Sequence, residues 1–319
     1  MTIMHAWPQL RHIALATIDP DDLHYNLNLP DFRDPDRELC LDIARFGLLQ
    51  PPLLQEKEAG GYRIVSGRKR ILALLQTGPA PKNLYGFVLS PALEPLQIFA
   101  TLLRHALIGS SLSLVEQAIF FHKLLDQMAP EEAVTLLPLL GLKPRPHVLD
   151  ELLQCLALEE PIQAALHSNL VNPRIVRQLL QLSPEERMAL VSLITELRLG
   201  GSKQQRVVTL AVDLARRNGV PVGDILSRWP RPGEEANIPQ LASSLLDWLH
   251  NQAHPRLVEA QREFKSFCQR LDLPPHVEVQ HTTSFEDETT WLRFAFTTRQ
   301  GAETFWKKIG KIMAEDQAG

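Results

Sequence analysis

GYRIVSGRKRILALLQTG, residues 61–78, is the stretch whose reading decides the fold. Tyr62-Arg63-Ile64-Val65 is a short strand pattern rich in β-branched and aromatic residues. Ser66 and Gly67 break it, three cations follow (Arg68, Lys69, Arg70), and an apolar helix then runs toward Gly78. A strand that turns through glycine into a helix leaves unpaired backbone N–H groups at the helix N-terminus, where an anion is favoured. Cations in a first turn are locally unfavourable, so three in succession suggest an anionic ligand. The alternative reading is a solvated basic first turn.

Twenty residues upstream, Phe46-Gly47-Leu48-Leu49-Gln50-Pro51-Pro52-Leu53-Leu54 follows an amphipathic helix over Arg37 to Arg45. Together the two segments resemble the N-terminal domain of the ParB family, partition proteins that share a fold with sulfiredoxin. In that family a helix enters a G-L-L-Q-P turn, a strand follows, and a G-E-R-R segment opens the next helix. The matching residues here are Gly47 to Pro51 and Gly67 to Arg70. Leu112-Ser113-Leu114-Val115-Glu116-Gln117-Ala118 is similar to the family's L-N-P-I-E-E-A segment, and Arg145-Pro146-His147-Val148 to the opening of its recognition helix. Val171 to Val176 has the look of its "ISxxxA" segment. The resemblance spans about two-thirds of the chain, from near Ile18 to near Glu196.

The resemblance implies CTP as ligand, with the loop cradling phosphates. Gly67 would allow close approach, Arg70 would offer a fork to phosphate oxygens, and Ser66, Arg68, Lys69 and Gln50 would complete the site. This loop is more basic than the family's, since Arg68 stands for a glutamate and Lys69 for an arginine. The family's second motif, E-N-x-Q-R, falls here on His105-Ala106-Leu107-Ile108-Gly109, which lacks its carboxylate and asparagine. That loss argues against Mg²⁺ binding and efficient CTP hydrolysis. Sulfiredoxin chemistry needs a cysteine after the loop glycine, where this chain has Arg68, and no carboxylate cluster supports a nuclease.

The fold class expected is α+β, mostly helical. Residues 1–95 read as the ParB/sulfiredoxin-like domain, with strands over Ile13–Ile18, Pro52–Glu56, Tyr62–Val65 and Leu84–Leu89 and a turn at Pro79-Ala80-Pro81. Residues 96–199 read as a helical helix-turn-helix domain, 200–250 as a helical linker region, and 251–319 as an α-β-β-α module similar to the one through which ParB proteins dimerise. Ser113 with Glu116 has capping-box spacing. Glu131–Leu140 would be the first helix of the DNA-binding pair, kinked by Pro138. Lys143, Arg145 and His147 would meet DNA at the entrance of the second, with Arg174 and Arg177 adding backbone contacts. Asp150 and Glu151 oppose that role. Gly200-Gly201-Ser202 reads as a hinge and Trp229 to Gly233 as a second break.

Composition sets the outer bounds. The 319 residues carry 45% hydrophobic residues and a net charge of −4. Residues 1–100 hold 10 cations and 11 acids, residues 101–200 hold 8 and 11, and residues 201–319 hold 15 of each. Such a balance is not the footprint of avid non-specific DNA binding. Cys40, Cys155 and Cys268 read as reduced core residues, and the absence of CxxC or clustered histidines speaks against structural zinc. No apolar run has membrane-span length and the N-terminus lacks signal-peptide order, so a cytoplasmic protein is expected, nucleoid-associated where DNA binding is retained. Three functions follow: a dimeric DNA-binding protein of partition or transcriptional control, modulated by a nucleotide; a non-hydrolysing nucleotide or phosphate sensor that binds protein partners; and an enzyme acting on phosphorylated substrates. Trp291, Phe294, Phe296, Phe305 and Trp306 would be covered by a dimer seam or by packing against the body.

Overall fold

The computed structural model describes residues 8–316 except 79, 110, 234, 272–276 and 283–288. Pro79 of the expected turn lies outside the described residues. The chain divides into two compact units, Met1–Ala242 and Ser243–Gly319.

The first unit opens with β1 (Gln9–Ala14) and β2 (Ile18–Asp19), separated by a 3-10 turn at Leu15–Thr17. The single strand expected over Ile13–Ile18 is therefore two short strands. Ile13, Leu15 and Ile18 all face the core, and the turn lets three such closely spaced residues share it. Then come α1 (Arg37–Phe46), β3 (Leu53–Glu56), β4 (Tyr62–Ser66), α2 (Arg68–Gln76) and β5 (Asn83–Leu89). Asp36 caps α1 by accepting from the Leu39 N–H, and Gly47 ends it at φ 71°.

The strands form one mixed sheet in the order β1-β5-β3-β4-β2. β1 with β5 and β3 with β4 are antiparallel, whereas β3 with β5 and β2 with β4 are parallel. Its core holds Leu54, Ile64, Ile71, Leu84 and Val88.

Beyond β5 the unit is helical: α3 (Pro95–Gly109), α4 (Leu114–Leu125), α5 (Pro130–Ala133), α6 (Pro146–Leu153), α7 (Glu160–His167), α8 (Val176–Leu179), α9 (Pro184–Glu196), α10 (Gly201–Asn218) and α11 (Val222–Ser227), with the unit boundary falling inside α12 (Ile238–Ala253). The capping box of Ser113 and Glu116 is formed in full, as is one of Ser183 and Glu186 on α9. Phe99, Phe120 and Phe121 are fully buried and meet edge-on, and Tyr25 joins the row through Phe99 with ring centroids 5.3 Å apart. The helix expected over Glu131–Leu140 is one α turn followed by a 3-10 segment, Val134–Leu140. Pro138 has no N–H for an i−4 bond, which suits the tighter winding.

Gly200-Gly201-Ser202 is not a hinge but the start of α10. A Cβ on Gly201 would lie 2.3 Å from Asn172 Nδ2, so the glycine serves close packing. Gln204, one turn on, is 3% exposed. Its amide donates to Leu170 O and Leu199 O, at 2.8 and 2.7 Å, and its oxygen accepts from Asn172 N at 2.8 Å. The cysteines are free thiols: Cys155 is buried, with burial pushing its pKa up to about 11, whereas Cys40 and Cys268 are half-exposed rather than core.

The second unit contains α13 (Pro255–Arg270), β6 (Val277–His281), β7 (Thr290–Phe294) and α14 (Arg299–Asp316). The two strands pair antiparallel, and Phe294 and Phe296 pack on Phe305 of α14. Trp291, Leu292 and Trp306 stay 49%, 56% and 72% exposed. Among the described residues no helix is long and apolar enough to cross a membrane.

Gln204→Leu keeps the side-chain volume but strands two carbonyls and one N–H. It should cost about 2–4 kcal/mol in denaturant unfolding, and an unchanged midpoint would show that this clamp is dispensable.

Candidate functional site

A cavity of about 260 Å³ lies at the turn from β4 into α2. One wall is the turn itself, Ile64 to Arg70; another is a strap of Asp22, Tyr25, Asn26, Leu27 and Asn28. Leu102 and Ala106 of α3, Leu112 just before α4 and Glu116 of α4 complete it. Gly67 sits at φ 97°, in the left-handed region, as the residue preceding α2. No side chain caps the helix there, which leaves first-turn N–H groups available to an anion.

The three cations have different fates. Arg68 turns back into the protein, Nε donating to Pro20 O at 2.8 Å and Nη1 to Arg33 O at 3.1 Å. Arg70 Nη1 donates to Gln50 O at 2.8 Å and Gln50 Oε1 at 3.2 Å. Its guanidinium lies over Gly67, where a Cβ would stand 2.9 Å from Nη2. Burial draws Arg70 below the usual arginine range. Lys69 lines the cavity half-buried, with no hydrogen-bond or ion-pair partner among the described residues. Two of the cations are thus offset by carbonyl oxygens, and Lys69 is not. Ser66 lines the wall with Oγ 3.1 Å from His105 Nδ1. Gln50 is exposed and does not line the cavity; it holds Arg70.

The strap was not singled out in the sequence. Its signal is the run Asp22-Leu-His-Tyr-Asn-Leu-Asn-Leu-Pro30, in which polar and apolar residues nearly alternate. Tyr25, Leu27 and Leu29 point into the core, leaving Asn26 and Asn28 half-exposed beside the cavity. Tyr25 OH donates to Gln55 Oε1, Lys123 Nζ to Leu23 O, and Asn28 Nδ2 to Glu116 Oε1. Asp22 accepts from Arg63 Nε at 2.7 Å and pairs with Lys57 at 3.3 Å. Burial alone would raise the Asp22 carboxyl, but bonds from Arg63 and the His24 N–H, with the charges of Arg63 and Lys57, hold it below its ordinary value.

The wall's carboxylates are therefore committed, Asp22 to cations and Glu116 to Ser113 N and Asn28. Among the described residues no group of three or more His, Cys, Asp and Glu converges to hold a metal ion. This donor set does not fit a protein-held Mg²⁺, which demands near-octahedral oxygen ligation. It does fit the phosphates of a nucleotide, with Lys69, Arg70, Ser66 and the loop N–H groups as donors.

The second set of residues surrounds α6. Gly141, at φ 73°, ends the 3-10 segment, and Pro146 begins α6 with Leu149 and Leu152 buried. Lys143, Arg145 and His147 are all exposed at its entrance. Arg177, on α8, reaches Glu151 of α6 at 3.4 Å and so offsets one of the two acids opposing DNA, while Asp150 stays exposed. Asn172 binds Gln204 and Gln178 binds Thr209, so this segment runs alongside α10. Arg174 in this segment and Lys203 and Arg206 on α10 are all exposed. That Lys203 and Arg206 are exposed shows only once the buried face of α10 is known.

No protein-family model matches the chain, and no curated protein matches it significantly. Among solved structures, it is similar to the C-terminally truncated chromosome-partitioning protein ParB from Caulobacter crescentus complexed to the centromeric parS site. That match has 19% identity and a TM-score of 0.34, and covers 62% of this chain and 98% of the other. The same protein complexed with CTP-gamma-S matches at 20% identity and a TM-score of 0.24, covering 58% of this chain and 98% of the other. Superposition this low carries no function across, so the cavity and α6 are read from their own geometry.

Asp22→Asn should loosen the strap by about 1–3 kcal/mol at neutral pH. Because the folded pKa of Asp22 is lowered, its contribution is complete above the unfolded value and is lost as pH falls through the folded one, below 3.8. Wild type and variant should converge in urea unfolding at low pH, and a gap that persists there would refute this assignment.

Proposed function

We propose that this chain is a ParB-like DNA-binding protein of partition or transcriptional control whose DNA contact responds to a nucleotide or other phosphate anion in the cavity at Gly67–Arg70. The observation that carries this reading is the double use of α4. Its Glu116 end forms part of the cavity wall, and its body packs against α6 and α7. A ligand that shifts Glu116 acts on the helix supporting the basic entrance of α6. Ser66, Gly67, Lys69 and Arg70 would hold the anion, CTP being the ligand that the family resemblance implies. Arg68 and Gln50 would keep the loop in shape. Lys143, Arg145 and His147 would face base edges, with Arg174, Arg177, Lys203 and Arg206 on the phosphate backbone. The exposed Trp291, Leu292 and Trp306 suit a dimer seam in the terminal module.

A second reading is a phosphate sensor that binds protein partners. It is favoured by the net charge of −4 and by Asp150 and Glu151 on the very helix that would enter DNA.

The test is binding to genomic fragments and to random duplex, with and without CTP, over a range of salt. Arg145→Ala should weaken selective binding by about 1–3 kcal/mol, and Arg206→Ala should lower the salt slope by about one. If neither variant moves DNA affinity, α6 is not a recognition helix; absence of DNA binding at low salt, with CTP still bound, would establish the sensor. Removing residues 251–319 should yield monomers in sedimentation, and an unchanged profile would rule out the terminal seam.

A further inference from the structure

We propose that the cavity takes its anion together with a proton on His105, a positioning residue that acts through the Ser66 hydroxyl, so that the site is linked to protons and needs no divalent metal. The proposal rests on the reading that this cavity binds a phosphate-class anion, and adds how that site is controlled.

Ser66 lines the cavity and its Oγ lies 3.1 Å from Nδ1 of His105 on α3, a residue that is not itself among those lining the cavity. A hydroxyl has a single hydrogen. If Ser66 gives that hydrogen to Nδ1, only lone pairs of its oxygen face the cavity, and they repel an anion. If Nδ1 carries hydrogen, Ser66 accepts from the ring and turns its own O–H toward the ligand. A neutral ring has that N–H in one tautomer only, whereas the imidazolium always has it.

The charges around the ring favour the same coupling. Ser66 faces it from β4, and Arg70 acts on it from α2. Arg104, the neighbour of His105 on α3, is exposed, and the 3-10 segment Val134–Leu140 packed against α3 has no ionisable side chain. Burial first, and then the Arg70 charge, hold His105 below the ordinary histidine value. An anion on Arg70 cancels that repulsion and raises the pKa of the ring. By reciprocity, a proton on the ring raises anion affinity. The wall's carboxylates are already committed, so added positive charge comes most readily from His105.

The test is titration of the full-length protein with inorganic sulfate, whose charge is constant between about pH 5.5 and 8, the interval where histidine changes charge. Affinity should fall as pH rises, by up to about tenfold per pH unit for one linked proton. His105→Asn, whose amide donates without titrating, should bind sulfate with a flat pH profile. In the wild type, sulfate should move the His105 ring ¹⁵N signals toward the protonated form, a readout that does not need the variant to fold. A flat wild-type profile, an equal slope in His105→Asn, or unmoved ring signals would overturn the linkage while leaving the anion site standing. Absence of sulfate binding at every pH would overturn both the linkage and the anion-site reading.

Discussion

Arg70 lies where any residue larger than glycine at position 67 would place its Cβ. The candidate anion site depends on that mutual exclusion. Gly67 at φ 97° lets β4 turn directly into α2, and the vacant side-chain position admits a guanidinium that Gln50 then pins from the preceding turn. The loop is consequently set before any ligand arrives, its cationic groups fixed or half-buried rather than scattered in solvent. Preorganisation of this kind lowers the entropic cost of binding an anion.

The strap over Asp22 to Asn28 converts this turn into a cavity. It is tied to the sheet through Asp22 and Tyr25 and to α4 through Leu23 and Asn28. The row of aromatic rings from Tyr25 through Phe99 to Phe120 adds a rigid connection between strap and helices. Glu116 then has two duties, closing the cap of α4 and bordering the cavity. His167 from α7 stands 3.0 Å from Ser113 Oγ and 3.8 Å from Glu116, so the same few residues touch both the sheet-bearing part and the helix that follows α6.

Much of this was legible from local chemistry. The strand-glycine-helix pattern at 61–78 and the capping box at Ser113 each depend on neighbours within a few residues. Local rules also misled. Three spaced apolar residues from Ile13 to Ile18 imitate a strand although a 3-10 turn interrupts it, and paired glycines at 200 and 201 imitate a hinge although one serves a close contact. In both cases a long-range partner, a shared core or Asn172, settled the outcome.

By itself, then, the sequence determined that a basic loop opens a helix after a short strand, and that a helical segment with a basic, proline-led helix follows, because propensity, capping and turn chemistry act over short spans. Only the tertiary structure decided which cations are free. Arg68 and Arg70 are drawn to carbonyls at Pro20, Arg33 and Gln50, from 20 to 48 positions away, while Lys69 finds none. Placing Ser66 against His105, and Asn172 and Gln178 against α10, likewise required the chain to fold back on itself. Hydrogen bonds act within about 3 Å, so partners remote in sequence are assigned by the packing of the core and not by the residues that make them.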